Sequence, residues 1–278
     1  KPALGVLIGA FAIAFSGILY RKANVSPSTG AFFRCLWALP PLWLLAVRED
    51  RRMGARPIAV RRAAWLAGAF FAADLILWHY SIEYVGAGLA TVLGNTQVVI
   101  VGLLAWALFH ERPSRNSLLA IPVAMGGIIL ISGVLESGAY GSDPRRGAIY
   151  GVLTGIAYSG FLLAMRRGSG ERGRVAGPLY DATVASTICI VPIGLVIGDL
   201  DFTPGLDATA WLIVLALSSQ VVGWLLITVS LGRLPTARTS VLLTLQPLLA
   251  VLFAALIVDV RPSPLQLVGA GAILAGLL

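Results

Sequence analysis

Residues 80–114 read YSIEYVGAGLATVLGNTQVVIVGLLAWALFHERPS, and residues 229–263 read VSLGRLPTARTSVLLTLQPLLAVLFAALIVDVRPS. The two stretches align without a gap at an offset of 149 positions, so that Gln97 falls on Gln246 and both stretches end in Arg-Pro-Ser. Apolar residues recur by composition alone, whereas a shared glutamine and a shared tripeptide at one constant offset are harder to obtain by chance. The chain is therefore predicted to contain a duplicated unit, an internal symmetry that is typical of membrane transporters.

The composition indicates a membrane protein. Hydrophobic residues make up 58% of the 278 positions and charged residues only 12%, and the mean hydropathy is +0.86. These apolar segments repeatedly approach the roughly 20 residues that span a bilayer as a helix. They do not show the alternation of transmembrane strands. We therefore expect an all-α, polytopic membrane protein that contacts the lipid bilayer.

Charge and cysteine usage exclude several other classes. The net charge of +8 does not predict nucleic-acid binding, because the basic residues lie in short loops between apolar spans, where they orient the protein and contact lipid headgroups. Cys35 and Cys189 both lie inside apolar spans, which predicts neither a disulfide framework nor a metal cluster. We expect no cofactor, and without a GxxxxGK[ST] phosphate loop we do not expect ATP to drive the protein directly.

Dividing the chain at its charged and Pro/Gly-rich loops predicts ten transmembrane helices. They cover residues 3–20, 30–47, 63–82, 86–109, 116–135, 147–165, 177–197, 208–231, 235–258 and 264–278. With a cytoplasmic N-terminus, the inner segments hold 14 Lys and Arg residues and the outer segments hold five. This bias predicts both termini and the 48–62 loop in the cytoplasm, because short cytoplasmic loops are enriched in positive charge.

Five spans in each half have a geometric consequence. The second half must enter the membrane from the opposite side, which makes residues 1–138 and 139–278 inverted five-helix repeats within one membrane domain. Such repeats are related by an axis in the membrane plane, and the substrate site lies near the midplane where they meet. This symmetry suits transport by alternating access, because the inward-open and outward-open states are then similar packings.

Short motifs recur in corresponding helices. Ala14-Phe15-Ser16-Gly17 matches Ala157-Tyr158-Ser159-Gly160 in the first helices of the two halves. In the fourth helix of the first half, Ala87-Gly88 forms the entry turn and Glu111-Arg112 the exit. The second half keeps a mid-helix Pro247. Val98 stands where the first copy would carry that proline, and Val260 where the second would carry the glutamate.

These motifs and the ten predicted spans resemble the drug/metabolite transporter superfamily, in particular its EamA-type members with two five-helix repeats. The resemblance implies a secondary transporter or facilitator rather than an enzyme, located in the bacterial inner membrane. Within the superfamily, the sequence favours the branch that exports aromatic and neutral amino acids.

Charged residues inside a span are costly, about 2.5 to 3.5 kcal/mol at a helix centre, so each one needs an interpretation. Asp74 lies near the middle of the third predicted span. It is either a coupling site that binds a proton or a substrate ammonium, or a structural residue paired with a cation such as Arg34. Arg34 itself lies close to the outer end of its span, and we expect its side chain to snorkel to the membrane surface.

Aromatic and amide side chains are the other candidates for contact with a solute. Trp78, His79 and Tyr80 point 100° apart around one helix, so they do not all face one cavity. The alternatives are a core histidine bonded to a backbone carbonyl for His79, and interhelical hydrogen bonds for the amides. Pro247 is predicted to be a hinge, because it frees a backbone carbonyl. The predicted substrate-binding residues are Trp78, His79, Asn95, Gln97, Tyr158, Gln220, Trp224 and Gln246.

A cavity rich in aromatic and amide groups but poor in charge favours neutral, apolar or aromatic solutes over polyanions. The sequence therefore predicts an exporter of small neutral metabolites, above all amino acids, working as a monomer or weak homo-oligomer. The alternatives are an exporter of drugs or other metabolites, a membrane-embedded enzyme and a passive assembly subunit. An enzyme would need a catalytic cluster, whereas the two histidines, His79 and His110, lie in different spans.

Overall fold

The computed structural model describes residues 2–97, 99–100, 103–104, 107, 115–133, 135–168, 174–231, 245–257 and 261–276. All regular secondary structure in this described part is helical, which confirms the predicted all-α class. Val98, Glu111, Arg112 and Val260, four positions of the predicted motifs, lie outside it. The helices are α1 (Pro2–Ala14), α2 (Ser16–Ala23), α3 (Pro27–Leu36), α4 (Leu39–Met53), α5 (Ile58–Gly94), α6 (Arg115–Ile131), α7 (Pro144–Gly168), α8 (Ala176–Ile197), α9 (Leu206–Leu215), a π-helix (Ala216–Gly223), α10 (Trp224–Leu231), α11 (Leu245–Ile257) and α12 (Pro264–Gly276).

Within the described residues, four helical stretches are long and apolar enough to cross a membrane. Shorter apolar helices follow at Gln246–Ile257 and Pro264–Ala275. The chain is thus a multi-pass membrane protein with helices of uneven length. The four long stretches are Pro27–Met53, Pro144–Met165, Ala176–Ile197 and Leu206–Ile227.

The third predicted span and the beginning of the fourth lie in α5, which consists of two helices joined at a kink. Gly86 interrupts its helical dihedral angles with φ 80° and ψ 162°. A side chain at this position would be strained, whereas glycine reaches positive φ without a Cβ clash. Gly86 therefore supplies the bend between the two spans, at the predicted boundary and one residue before the turn predicted at Ala87-Gly88.

Three other predicted spans are divided into helical segments that keep right-handed helical dihedral angles at the junctions. Phe15 separates α1 from α2, and Trp37 and Ala38 separate α3 from α4. The eighth span changes from α-helix to π-helix at Ala216 and back at Trp224. In a π-helix the backbone hydrogen bonds run from residue i to i+5, and such segments are frequently found at functional sites. The sequence did not predict this change.

The stretch formed by α3 and α4 packs antiparallel to α8 along its full length. At one end, the Thr29 hydroxyl accepts a hydrogen bond of 2.8 Å from the Asp201 N–H. At the other end, the Glu49 carboxylate accepts one of 2.7 Å from the Gly177 N–H. Helices α3 and α4 belong to the first predicted repeat and α8 to the second, so this contact joins the two halves.

Several connecting segments meet at the Thr29 end of the bundle. Arg21 pairs with Glu83 at 3.4 Å, and the Ser142 hydroxyl donates to the Glu83 carbonyl at 3.4 Å. The Ser263 hydroxyl donates to the Glu136 carboxylate. The segments that meet at this end are 21–26, 83–86, 136–142, 198–201 and 261–263.

Helix α5 is the central helix of the bundle and packs most extensively against α7 and α8. Glycines permit the closest approaches between helices. A Cβ on Gly68 would lie 2.3 Å from the Ala182 carbonyl oxygen of α8, and one on Gly155 would lie 2.7 Å from the Thr96 hydroxyl. This packing holds the middle of α5, with Asp74 and Trp78, against the second half of the chain.

Candidate functional site

Arg34 is the charged residue at the centre of the candidate site. Helix α3 packs against α5, α8 and the π-helix, and the Arg34 side chain is only 3% exposed. Its Nε donates to Oε1 of Gln220 at 3.4 Å, and its guanidinium carbon lies 5.7 Å from the centroid of the Trp78 ring. The expected snorkelling of Arg34 is therefore wrong. Packing on three sides of α3 turns the side chain into the bundle instead of along the helix to the surface.

Asp74 provides an opposite charge near Arg34. It is 8% exposed, and it interacts electrostatically with Arg34 and Tyr158. Among the described residues, however, no basic nitrogen lies within 4.0 Å of its carboxylate and no donor is hydrogen-bonded to it. The direct Arg34–Asp74 ion pair that a purely structural role would suggest does not form in this structure. Arg34 and Asp74 are thus both buried in this part of the bundle without a direct contact in the described structure.

Gln220 is oriented toward Arg34 by the π-helix. Its side chain is fully buried, and its Nε2 donates to the Thr183 hydroxyl at 3.4 Å. The Thr183 hydroxyl in turn donates to the Leu179 carbonyl at 2.8 Å. Because the Nε2 end of the amide is directed to Thr183, the Oε1 end is available to accept from Arg34. Neither Thr183 nor the π-helix was singled out from the sequence.

Four aromatic rings lie beside this polar group. Trp224 contacts Phe161 at a centroid distance of 5.4 Å, Tyr158 at 5.9 Å and Phe71 at 6.0 Å. These edge-to-face distances are within the favourable range for aromatic pairs. Tyr158 also stacks on Phe161 at 5.9 Å. Of the predicted site residues, the structure therefore brings Asp74, Trp78, Tyr158, Gln220 and Trp224 together around Arg34. We call these six residues the Arg34 cluster.

The three consecutive residues Trp78, His79 and Tyr80 diverge as their helical spacing predicts. Trp78 covers Arg34, whereas the Tyr80 hydroxyl donates to the Asp199 carboxylate at 2.9 Å. His79 is fully buried, with Nδ1 3.1 Å from the Pro27 carbonyl oxygen and its ring stacked on Tyr20 at 4.0 Å. His79 therefore lies behind Trp78 and outside the Arg34 cluster.

The remaining predicted residues lie along other helices. The Asn95 amide donates to the Thr91 carbonyl at 2.7 Å and closes the end of α5. The Gln97 carbonyl accepts from the Ser159 hydroxyl at 3.3 Å, across to α7. Gln246 is half-buried near the start of α11, and the neighbouring Pro247 is buried. None of these contacts joins the Arg34 cluster.

A second group of charges lies at the opposite end of the bundle from Thr29. Arg174 is 7% exposed; its guanidinium donates to Asp50 at 3.1 Å and to the carbonyls of Met53 and Gly54 at 2.7 and 2.9 Å. Glu49 accepts from the N–H groups of the first residues of α8, as well as from Val175. A carboxylate at a helix N-terminus is stabilised by the helix dipole and by these donors.

Arg56 extends this second group along α8. It pairs with Asp50 at 3.5 Å and with Asp181 at 3.4 Å, and Arg61 lies 3.8 Å from Asp181. These contacts give Asp181 a structural role at the start of α8. We call Glu49, Asp50, Arg56, Arg174 and Asp181 the clamp, because they fasten the loop after α4 to the beginning of α8. The clamp joins residues that are 124 to 128 positions apart. No motif in the sequence predicted these contacts.

The cavities found in the structure lie elsewhere. One of about 520 Å³ is lined by residues 132–145, and one of about 290 Å³ lies between Arg21, Glu83 and Tyr140. Neither is lined by a member of the Arg34 cluster. Within the described residues, no group of three or more His, Cys, Asp or Glu side chains is placed to hold a metal ion. The Arg34, Asp74 and Gln220 side chains of the cluster are buried, whereas Trp78, Tyr158 and Trp224 are partly buried.

Comparison with known proteins agrees with this architecture. The model of the EamA-like transporter family matches residues 1–133 and again residues 145–278. A curated relative, the uncharacterized transporter sll1319 of Synechocystis sp. (strain ATCC 27184 / PCC 6803 / Kazusa), is 28% identical over 146 residues. That match covers 48% of this chain and 43% of the relative, so less than half of the relative's length is spanned. One solved crystal structure of a protein superposes on 99% of this chain and 94% of its own, with a TM-score of 0.63 at 12% identity, which shows a shared fold alone.

Proposed function

Because this chain belongs to the EamA-like transporter family, we propose that it is a membrane transporter that exports small neutral metabolites, above all amino acids including aromatic ones. We place it in the bacterial inner membrane, working by alternating access as a secondary transporter or facilitator. It needs no cofactor in this proposal, and its partners are the solute and the lipid bilayer. It acts as a monomer or weak homo-oligomer and does not bind nucleic acid.

The observation that carries this proposal is the Arg34 cluster. Polar groups inside a helical bundle are costly unless they serve a pathway or a binding site. Here Arg34, Asp74 and Gln220 lie side by side with the rings of Tyr158 and Trp224, between helices of the two predicted repeats. Amide, aromatic and balanced charged groups suit a neutral solute with polar ends. The burial of the cluster fits the closed stage of an alternating-access cycle.

The remaining predicted residues take roles around this cluster. In the proposal, the Gln97 and Gln246 pair lines the path between the site and the two membrane faces, and Pro247 is a hinge of α11. The clamp and the Thr29 end are the two contact zones between repeats that must loosen in turn. The proposed substrate-binding residues remain Trp78, His79, Asn95, Gln97, Tyr158, Gln220, Trp224 and Gln246.

The proposal includes ten spans in two inverted repeats, residues 1–138 and 139–278, with both termini cytoplasmic. Two observations support it: the family matches two successive stretches of the chain, and the loops predicted to lie outside meet at one end of the bundle. Reporter fusions at every loop test this arrangement. We expect the 48–62 loop to report cytoplasmic and the 137–144 loop to report external, and an internal 137–144 loop contradicts the inverted repeat.

The direct test of function is counterflow in proteoliposomes. Liposomes that contain the purified protein are preloaded with one unlabelled amino acid and then exposed to trace labelled solute. We expect labelled phenylalanine and other neutral amino acids to accumulate transiently, and protein-free liposomes provide the control. Counterflow of organic cations or unrelated metabolites without amino acids would instead identify an exporter of drugs or other metabolites. A protein that is folded but exchanges no solute at all would refute the transporter.

The role of Asp74 in coupling is tested separately. An exporter that relieves a metabolite excess runs downhill, so we propose that Asp74 serves the site rather than a coupling ion. The test measures uptake with and without an imposed pH gradient. We then expect the ratio of the two uptake values to be the same for wild type and Asp74→Asn. Gradient-driven accumulation in the wild type that disappears in Asp74→Asn would identify Asp74 as the proton-coupling residue.

A further inference from the structure

We propose that Arg34 binds the carboxylate of the transported solute and that Asp74 binds its ammonium group, so that the site selects α-amino acid zwitterions. This inference rests on the proposed function and specifies the chemistry of its site. Arg34 was not among the residues that the sequence assigned to substrate binding. Its place in the structure supplies the assignment.

The Arg34 guanidinium is incompletely hydrogen-bonded among the described residues. A guanidinium carries five N–H donors in a planar fork. Here Nε donates to Gln220 at 3.4 Å, and among the described residues no acceptor is hydrogen-bonded to the two terminal nitrogens. A charge that is 97% buried (3% exposed) is costly unless it is paired. The natural partner of a guanidinium fork is a carboxylate, which it binds with two parallel hydrogen bonds.

Neighbouring side chains direct the Arg34 guanidinium. The Trp78 ring covers one face of the guanidinium at 5.7 Å, and Gln220 engages the Nε edge. The amide of Gln220 is held by Thr183, so its oxygen remains directed to Nε. A carboxylate therefore approaches in the guanidinium plane from the side of the terminal nitrogens. In this arrangement Gln220 and Thr183 are positioning residues, and Arg34 makes the contact.

The charges of Arg34 and Asp74 also bear on the kind of solute. Arg34 and Asp74 interact electrostatically without an ion pair within 4.0 Å in the described structure. A solute with a carboxylate alone would contact Arg34 and leave Asp74 without a partner, and a solute with an ammonium group alone would contact Asp74 and leave Arg34 without one. A zwitterion pairs both residues and leaves the site neutral, which a low-dielectric interior favours. The same reasoning explains why a site with two charged residues suits a solute with no net charge.

Aromatic residues of the site set its preference for the solute's side chain. Tyr158 interacts electrostatically with both Arg34 and Asp74, and its ring lies 5.9 Å from that of Trp224. The rings of Phe71 and Phe161 complete an apolar and aromatic wall. A solute with its carboxylate at Arg34 and its ammonium at Asp74 places its side chain against this wall. Apolar and aromatic side chains are therefore preferred over charged ones.

The test is competition against counterflow of labelled L-phenylalanine in wild-type proteoliposomes. Unlabelled L-phenylalanine is the reference competitor. L-phenylalaninamide and phenethylamine lack the carboxylate, and 3-phenylpropionate lacks the ammonium group. We expect each of the last three to compete at least about tenfold more weakly than phenylalanine, because a hydrogen-bonded charge pair is lost. Equal competition by L-phenylalaninamide overturns the carboxylate assignment.

Variants of Arg34 complete the test. Arg34→Gln is expected to raise KM for phenylalanine by about tenfold to a hundredfold and to remove the preference for phenylalanine over phenylalaninamide. Arg34→Lys keeps the positive charge but loses the planar guanidinium, so we expect part of the preference for phenylalanine over phenylalaninamide to remain. This variant replaces Arg34→Gln in the test if Arg34→Gln does not fold. Arg48→Gln is the matched control, because Arg48 is exposed on α4, and it leaves both values unchanged.

The outcomes separate this inference from the proposed function. Phenylalanine exchange with unchanged KM in both Arg34 variants leaves the transporter in place and overturns the role of Arg34. A folded wild-type protein that exchanges no amino acid overturns both. A second readout needs no flux: phenylalanine raises the melting temperature of the detergent-solubilised wild type, and this shift is lost in Arg34→Gln but kept in Arg48→Gln. An equal shift in Arg34→Gln contradicts the proposal.

Discussion

Arg174 and Arg34 are both arginines buried in the bundle, yet their surroundings differ. Arg174, in the clamp, donates to a carboxylate and two backbone carbonyls over 2.7 to 3.1 Å. Among the described residues, Arg34 has one hydrogen bond of 3.4 Å to an amide and one aromatic ring at 5.7 Å. In the clamp, groups of the protein itself accept hydrogen bonds from Arg174. In the Arg34 cluster, the terminal N–H groups of Arg34 have no hydrogen-bond acceptor among the described residues.

This difference separates structural from functional charge. A buried arginine with a full set of partners holds the elements that supply them, and its removal leaves those partners unpaired. A buried arginine with few partners stabilises the fold little and is retained for another reason, which here is contact with a solute. The following predictions test this separation through stability and transport measured on the same variants.

The largest effect on stability is expected for Arg174→Gln. Its removal leaves the carbonyls of Met53 and Gly54 without this donor and leaves Asp50 only its 3.5 Å ion pair with Arg56. Breaking a buried pair in this way costs about 3 kcal/mol. Thermal unfolding in detergent should show a markedly lower melting temperature, with transport reduced in proportion to the folded fraction. Arg48→Gln is the exposed control. A melting temperature equal to that of the Arg48→Gln control would contradict the structural role of the clamp.

Much of the fold and part of the site follow from the sequence, for different physical reasons. Span length and hydropathy predicted the all-α class. The turn predicted at Ala87-Gly88 lies one residue earlier in the structure, at Gly86, and Ala87 and Gly88 are helical. Polarity inside spans identified Asp74 and Gln220, because such side chains avoid lipid and turn inward. These inferences depend on local properties of the chain.

What the sequence did not predict depends on tertiary contacts. The depth of Arg34 in its span allowed snorkelling or burial, and only the packing of α3 on three sides decides between them. The π-helix changes the register of Gln220 with no marked sequence signal. The clamp pairs Glu49 and Asp50 with residues near Arg174, and no alternation or motif indicates a contact between such distant loops.

The next prediction concerns the carboxylate of the clamp. Glu49→Gln removes the negative charge that accepts from the N–H groups of Val175, Ala176 and Gly177 over 2.7 to 3.0 Å. We expect a loss of about 1 to 2 kcal/mol, because a neutral amide is a weaker cap and interacts less with the helix dipole. Hydrogen exchange should increase first in the initial turns of α8. Unchanged exchange there would show that the cap does not hold this end of α8.

A smaller effect is expected at the aromatic wall of the Arg34 cluster. Trp224→Phe keeps an aromatic ring beside Phe71 and Phe161 but reduces the aromatic surface area that contacts the solute. We expect a three- to tenfold lower kcat/KM for phenylalanine, equivalent to about 1 kcal/mol, with a nearly unchanged melting temperature. Trp43→Phe is the matched control, because Trp43 is 51% exposed on the bundle surface. Equal losses of transport in both variants would place Trp224 outside the solute site.

The smallest effect on stability is expected for the double variant Arg34→Gln/Asp74→Asn, although it abolishes selective transport. Both residues are replaced together, so that neither polar side chain is left in the bundle without the other. The two residues form no ion pair within 4.0 Å in the described structure, and Arg34 has a single long hydrogen bond. Replacing two poorly paired buried charges with amides of similar size should change the unfolding free energy by less than about 0.5 kcal/mol, or increase it. The measurement is the same thermal unfolding series that includes Arg174→Gln. If the double variant loses as much stability as Arg174→Gln, Arg34 and Asp74 hold the bundle together as the clamp does, and the separation between structural and functional arginine fails.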